Sequence, residues 1–158
     1  MSQRQNLYVG RAGQMAAMAE FLWRGWNVAL PEVDVGEDIF VIKDEGGQLW
    51  RVQVKTATAR LQREGYSAQF SVSLRQLETG RAPDLVYVFV VRRASFWEPF
   101  IIVDRDLLWN EYQIHGIGNI SQGNLILRFN VQDSSLRCSD RDFLPYRNDW
   151  SRWPVIRH

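Results

Sequence analysis

A chain of 158 residues that is 46% hydrophobic and 13% aromatic is long and apolar enough for one packed domain, 1–158, with no metal or disulfide staple. Its single cysteine, Cys138, excludes an intramolecular disulfide and disfavours a cysteine-ligated zinc site, so a buried, inert thiol is expected. The net charge of +1 points to no partner, and with no apolar leader and no run near the ~18 residues of a membrane span a soluble, cytoplasmic protein is expected.

Residues 11–25, "RAGQMAAMAEFLWRG", predict a helix with Gln14, Met18, Phe21 and Leu22 on one face and Gly25 as its stop. "WNVAL" follows as a short strand ending at Pro31. "DIFVI" and "LWRVQVK" are two more strands, and the Gly-Gly in the intervening "KDEGGQ" makes them a hairpin. "YSAQFSVS" is a further strand, followed by a short helix or turn from Leu74 to Thr79. "DLVYVFVV" and "PFIIV" are apolar on both faces, as central strands are. "DRDLLWNEYQI" opens with aspartates and predicts a helix. "NLILRFNV" and "SSLRC" form the last hairpin, and a short helix is expected before Pro145. Together these elements predict an α/β fold, a central mixed sheet flanked by helices.

Charge is unevenly placed. Residues 31–48 hold Glu32, Asp34, Glu37, Asp38, Asp44 and Glu45 against Lys43, whereas residues 49–63 hold Arg51, Lys55, Arg60 and Arg63 with no acid. Of the 19 Lys and Arg, only Lys43 and Lys55 are lysine. On the second strand Trp50, Val52 and Val54 share one face, and Arg51, Gln53 and Lys55 the other. Asp38 starts the first strand of the hairpin, so it meets the end of the second near Lys55. A carboxylate there can hold a divalent cation, helped by a side chain and a backbone carbonyl of the partner strand. A lysine beside it can orient water and offset charge developing on a phosphate. A compact ammonium suits that task better than a guanidinium. The plain alternative is a strand-end lysine paired with a neighbouring acid.

The runs "GRAGQMAAMAEFLWRGWNV", "VDVGEDIFVI" and "WRVQVKTA", spanning roughly residues 8–57, resemble the PD-(D/E)XK nuclease superfamily, and within it the group I intron homing endonucleases and their bacterial relatives. That pattern is a helix bearing an acid, a strand opened by Asp, and a strand carrying (D/E/Q)-x-K. The resemblance implies a restriction-endonuclease-like core and Mg²⁺- or Mn²⁺-dependent hydrolysis of double-stranded DNA. It implies metal held by Asp38, Gln53 and the Val54 carbonyl, with Lys55 placing the water. Gln14 or Glu20 is the helix residue. Gln14 has the family spacing, and Glu20 is the only acid of the helix, with a salt bridge to Arg24 as its structural alternative. Asp34 competes with Asp38 but lies outside the apolar strand. Arg51, Arg60 and Arg63 are expected to contact phosphates. Cutting both DNA strands needs two sites, so a homodimer or higher oligomer is expected. Two glutamines where carboxylates are common leave a second expectation open, a catalytically impaired module of the same fold. His115 and the terminal His158 are weak catalytic candidates. The Arg/Trp-rich tail, 140–158, with Trp150 and Trp153, either stacks on nucleic acid or folds back on the domain or a second copy.

Overall fold

Helix α1 spans Gln3–Trp23 and starts well before residue 11, because Ser2 caps it by accepting a hydrogen bond from the Gln5 amide at 3.2 Å. The rest of the chain, in order, is β1 (Asn27–Ala29), β2 (Ile39–Ile42), β3 (Leu49–Thr58), β4 (Arg60–Leu61), β5 (Tyr66–Ser73), α2 (Leu74–Glu78), β6 (Leu85–Arg93), β7 (Phe96–Asp104), α3 (Arg105–His115), β8 (Asn119–Ser121), β9 (Asn124–Val131), β10 (Leu136–Cys138), β11 (Arg141–Asp142) and a 3-10 turn over Leu144–Tyr146. This computed structural model describes residues 2–33 and 35–157, so Asp34 and His158 lie outside the described residues.

The expected mixed sheet is present. Its five strands run β1-β2-β3-β6-β7, antiparallel except for the parallel β3–β6 pair. Val52, Val54, Val86 and Val88 face α1 on one side. Leu85, Tyr87 and Phe89 face a second, antiparallel sheet on the other, ordered β11-β10-β9-β5-β4 with β8 also on β9. β7 is the edge strand rather than a central one. It is still apolar on both faces because both are covered, and its free edge is taken by the tail: the Asn148 amide donates to the Phe100 carbonyl at 2.7 Å, and Asn148 Oδ1 accepts from the Phe100 amide at 2.8 Å.

The buried row of α1 is Gly13, Ala17 and Phe21, so of the predicted Gln14–Met18–Phe21–Leu22 stripe only Phe21 is fully buried, and Leu22 is 53% exposed. The helix lies so close to β3 that a Cβ at Gly13 would stand 2.1 Å from Thr56 Oγ1. At this close approach small residues, Gly13 and Ala17, form the contact, and the large Phe21 packs further along the helix against Trp150 and Trp153. Gly13→Ala is expected to cost about 1–3 kcal/mol, read as a lowered urea midpoint at unchanged slope.

The tail folds back on its own domain. Trp153 is fully buried and packs edge-on to Phe21 with ring centroids 4.9 Å apart. Arg152 holds Asp104 through two contacts of 2.5 and 2.7 Å. The Trp26 indole donates to the Pro154 carbonyl at 2.9 Å, and the Ile156 amide to the Arg24 carbonyl at 2.8 Å. Cys138 is fully buried, and desolvation pushes its thiol up to about 12. A thiol reagent at neutral pH is expected to leave native protein unmodified and to titrate one group once the chain is unfolded. No helix among the described residues is long and apolar enough to cross a membrane.

Candidate active site

Register brings Asp38 to the hairpin mouth. Ile39 pairs with Val52, and the Asp38 amide extends the ladder by donating to the Val52 carbonyl at 2.9 Å. Asp38 thus stands opposite Gln53, with Lys55 two residues further along the same face. Asp38 Oδ2 accepts from Gln53 Nε2 at 2.5 Å and from the Val54 amide at 2.7 Å. From α1, Gln14 Nε2 donates to the Asp38 backbone carbonyl at 3.0 Å, while Arg11 donates to Gln14 Oε1 at 2.6 Å. Of the two helix candidates it is therefore Gln14 that meets Asp38. Glu20 is bound instead by Arg24 at 2.5 Å, one turn along the helix. Its position explains this, since Glu20 lies off the row that faces the sheet.

Gln53 is only 8% exposed because α2 covers it. The Tyr87 hydroxyl donates to Gln76 Oε1 at 2.9 Å, and Gln76 Nε2 donates to Gln53 Oε1 at 3.2 Å and to the Gly36 carbonyl. The chain of bonds has one polarity. The Gly36 carbonyl requires an N–H from Gln76, which leaves the Gln76 oxygen for Tyr87 and turns the Gln53 N–H toward Asp38. Burial pushes the Tyr87 hydroxyl well above its usual range, which keeps it a donor.

Lys55 is half-buried and paired with no acid among the described residues. It opens on a cleft of about 520 Å³ that also receives Gln53, Arg75, Gln76 and Arg81. Arg81 is held at 3.2 Å by Glu37, which is 3% exposed. Asp38 faces an adjoining recess with Arg11, Gln14 and Glu37. The Asp38–Gln53 bond joins a residue of the recess to one of the cleft. Arg60 is exposed and lines a third groove with Lys55. Arg63 is exposed in the turn between β4 and β5. Arg51 lines none of these spaces; it sits between Phe40 and Leu85 in the sheet, half-buried, with its Nε lacking a hydrogen-bond partner. His115 ends α3 and is exposed.

Oxygen donors here suit a hard cation. The Val54 carbonyl shares its side of β3 with the Val54 amide that meets Asp38, since both groups of a residue point the same way in an antiparallel pair. No group of three His, Cys, Asp or Glu is available among the described residues. The Gln53 and Gln14 amide oxygens are taken by Gln76 and Arg11, so one carboxylate and one carbonyl are left to share a single Mg²⁺ or Mn²⁺ whose other ligands would be water and phosphate.

The whole arrangement has a known counterpart in architecture. The structure is similar to that of I-Ssp6803I, a bacterial homing endonuclease, with a TM-score of 0.55 and 22% sequence identity over 90% of this chain and 87% of that one. The chain shares its fold. No family profile matches the sequence, and no curated protein matches it either.

Residues that sequence reasoning missed are Gln76, Tyr87, Arg75 and Arg81. Tyr87 carried a signal, as the lone hydroxyl in "LVYVFVV". Gln76 carried none, because only the packing of α2 over β3 brings it to Gln53.

Proposed function

We propose that this protein is a divalent-metal-dependent DNA endonuclease of the PD-(D/E)XK type. The observation carrying this reading is the hydrogen-bonded Asp38–Gln53–Val54 cluster with Lys55 two residues on, in a cleft that also holds Arg75 and Arg81. Asp38 and the Val54 carbonyl would hold Mg²⁺ or Mn²⁺, which when bound polarises a phosphate oxygen and acidifies water. Lys55 donates to the attacking water and offsets the charge gained by the phosphate. Arg75, Arg81 and Arg60 bind the flanking phosphates of double-stranded DNA. As oriented, Gln53 is an orienting donor to Asp38. Presenting its oxygen to the cation requires inversion of the amide, which the Tyr87–Gln76 chain opposes. Cleavage of both strands needs two such sites, hence a homodimer or higher oligomer.

The test is plasmid cleavage by wild-type protein with Mg²⁺ or Mn²⁺ against a metal-free control. Nicked or linear product that depends on metal supports the reading; intact plasmid with several substrates sinks it. A second reading is favoured by the lack of a carboxylate cluster among the described residues: a nuclease-fold module that binds nucleic acid or a protein partner without cutting. Metal-independent DNA binding with no cleavage distinguishes it.

The donor set also predicts how metal is felt. Wild-type Tm should barely respond to Mn²⁺ without DNA. Gln53→Glu places a second carboxylate beside Asp38, so its metal-free form should be less stable and its Tm should rise with Mn²⁺, by about 2.7 kcal/mol of stability at a hundredfold excess over Kd. A Tm of Gln53→Glu that ignores Mn²⁺ would exclude a cation at Asp38.

A further inference from the structure

We propose that the outer face of the second sheet, centred on Gln69, Arg128 and Asn130, reads base edges in the major groove of duplex DNA, a role that rests on the nuclease reading above. Along β5 and β9, Ala68, Phe70, Leu127 and Phe129 point into the core, so Gln69, Ser71, Arg128 and Asn130 point outward. Register places Gln69 directly opposite Arg128, and sets Arg137, Asn130 and Arg60 in one row across the sheet. Apart from the half-buried Ile126, the face is made of guanidinium, amide and hydroxyl groups. None of β4, β5, β8, β9 or β10 carries an acid, in a chain with 18 of them; the sheet's one strand acid is Asp142 of the edge strand β11, opposite Arg137.

Those residue types match the donors and acceptors of base pairs: Arg with guanine O6 and N7, Asn or Gln with adenine N6 and N7. Gln69 Oε1 accepts from Arg128 Nη2 at 3.1 Å, which fixes the guanidinium plane while leaving it further donors. The eight-residue strands β5 and β9 reach about 27 Å, most of one duplex turn of ~34 Å. Continuity with the cleft is direct. A groove of about 580 Å³ runs from Lys55 past Arg60 to Gln69 and Ser71, and Gln69 also borders a recess holding Arg128 and Asn130. DNA whose backbone lies at Lys55 therefore meets this face with its neighbouring groove. A partner protein would leave the cation-bearing face, acid-free from β4 to β10, without its phosphate complement.

The experiment is selection of a randomised duplex pool by wild-type protein in EDTA, followed by affinities of the selected and a scrambled duplex. Gln69→Ala and Asn130→Ala are exposed changes whose thermal melts should match wild type. Each should lose about tenfold or more for the selected duplex, with preference relaxed at one or two base pairs, and about threefold or less for the scrambled one. Arg128→Ala should weaken both. An unchanged selected sequence and affinity, an equal loss on both duplexes, no enriched sequence, or preference for single-stranded RNA would each overturn the proposal. Cleavage is scored separately with Mg²⁺. Selective binding without cleavage removes the nuclease reading and leaves this surface; cutting at unchanged sites by Gln69→Ala with Asn130→Ala removes the surface and leaves the nuclease.

Discussion

Lys55→Ala is expected to lower metal-supported DNA cleavage by about 10²–10⁴-fold while leaving DNA affinity within a few fold. Lys55 sits on the same face as Gln53, past the start of β2, where its ammonium opens into the cleft with Arg75 and Arg81. Those arginines and Arg60 supply the general attraction for phosphate, so binding survives the loss of one charge. Lys55→Arg is the sharper variant. It keeps the charge, but a planar guanidinium has a different reach and stays firmly protonated, so it should not restore the rate. The measurement is single-turnover cleavage with enzyme in excess. Wild-type rates in Lys55→Ala would show that this residue takes no part in the chemistry. Full rescue by Lys55→Arg would reduce its role to charge alone.

Trp153→Ala is expected to destabilise the fold by about 3–5 kcal/mol, read from urea unfolding. That is a large share of the ~5–15 kcal/mol typical of a domain. The indole is fully buried and touches Phe21 of α1, Trp50 of β3 and Trp150 of the tail, with centroids 4.9, 6.0 and 6.3 Å away. Alanine leaves a cavity bounded by helix, sheet and tail together. Trp153→Phe should cost much less, because the indole Nε1 is buried without a hydrogen-bond partner and its removal relieves that penalty. The tail also steadies the site from a distance. It is pinned to the end of α1 through the Ile156–Arg24 bond, and α1 carries Gln14 to Asp38. Trp153→Ala should therefore also weaken any DNA-dependent metal binding. A loss below about 1 kcal/mol would mean the tail is dispensable to the core.

The hairpin was the most legible part of the chain. Alternation in "WRVQVK", the Gly-Gly turn and an aspartate ahead of "IFVI" are local signals, and the strands pair as the expected hairpin, although the register sets Asp38 against Gln53 and Val54 rather than against Lys55. Periodicity also exposed the face shared by Gln53 and Lys55. It misjudged part of α1, because a helix pressed on a sheet at Gly13 buries Gly13 and Ala17 there, whereas hydrophobicity points to the larger Met18 and Leu22; Phe21 it placed correctly. It read "PFIIV" as central for a related reason: apolar content reports covered faces and is silent about whether an edge is paired.

What the amino-acid order determined by itself is the longer strands and helices, a mixed sheet, and the placing of Asp38, Gln53 and Lys55 on one hairpin, while the short strands β4, β8 and β11 and the second sheet appear only in the structure. The elements and the hairpin follow from contacts a few residues apart or from a turn that fixes register; the parallel β3–β6 pair is a long-range contact that the strands' apolar faces call for. Tertiary structure alone decided that Gln14, and not Glu20, meets Asp38. It alone decided that Tyr87 and Gln76 set the direction of the Gln53 amide, and that Trp153 belongs to the core. Each of these depends on which face of one element packs against another far along the chain, and hydrogen-bond polarity passes only between groups that such packing brings within reach.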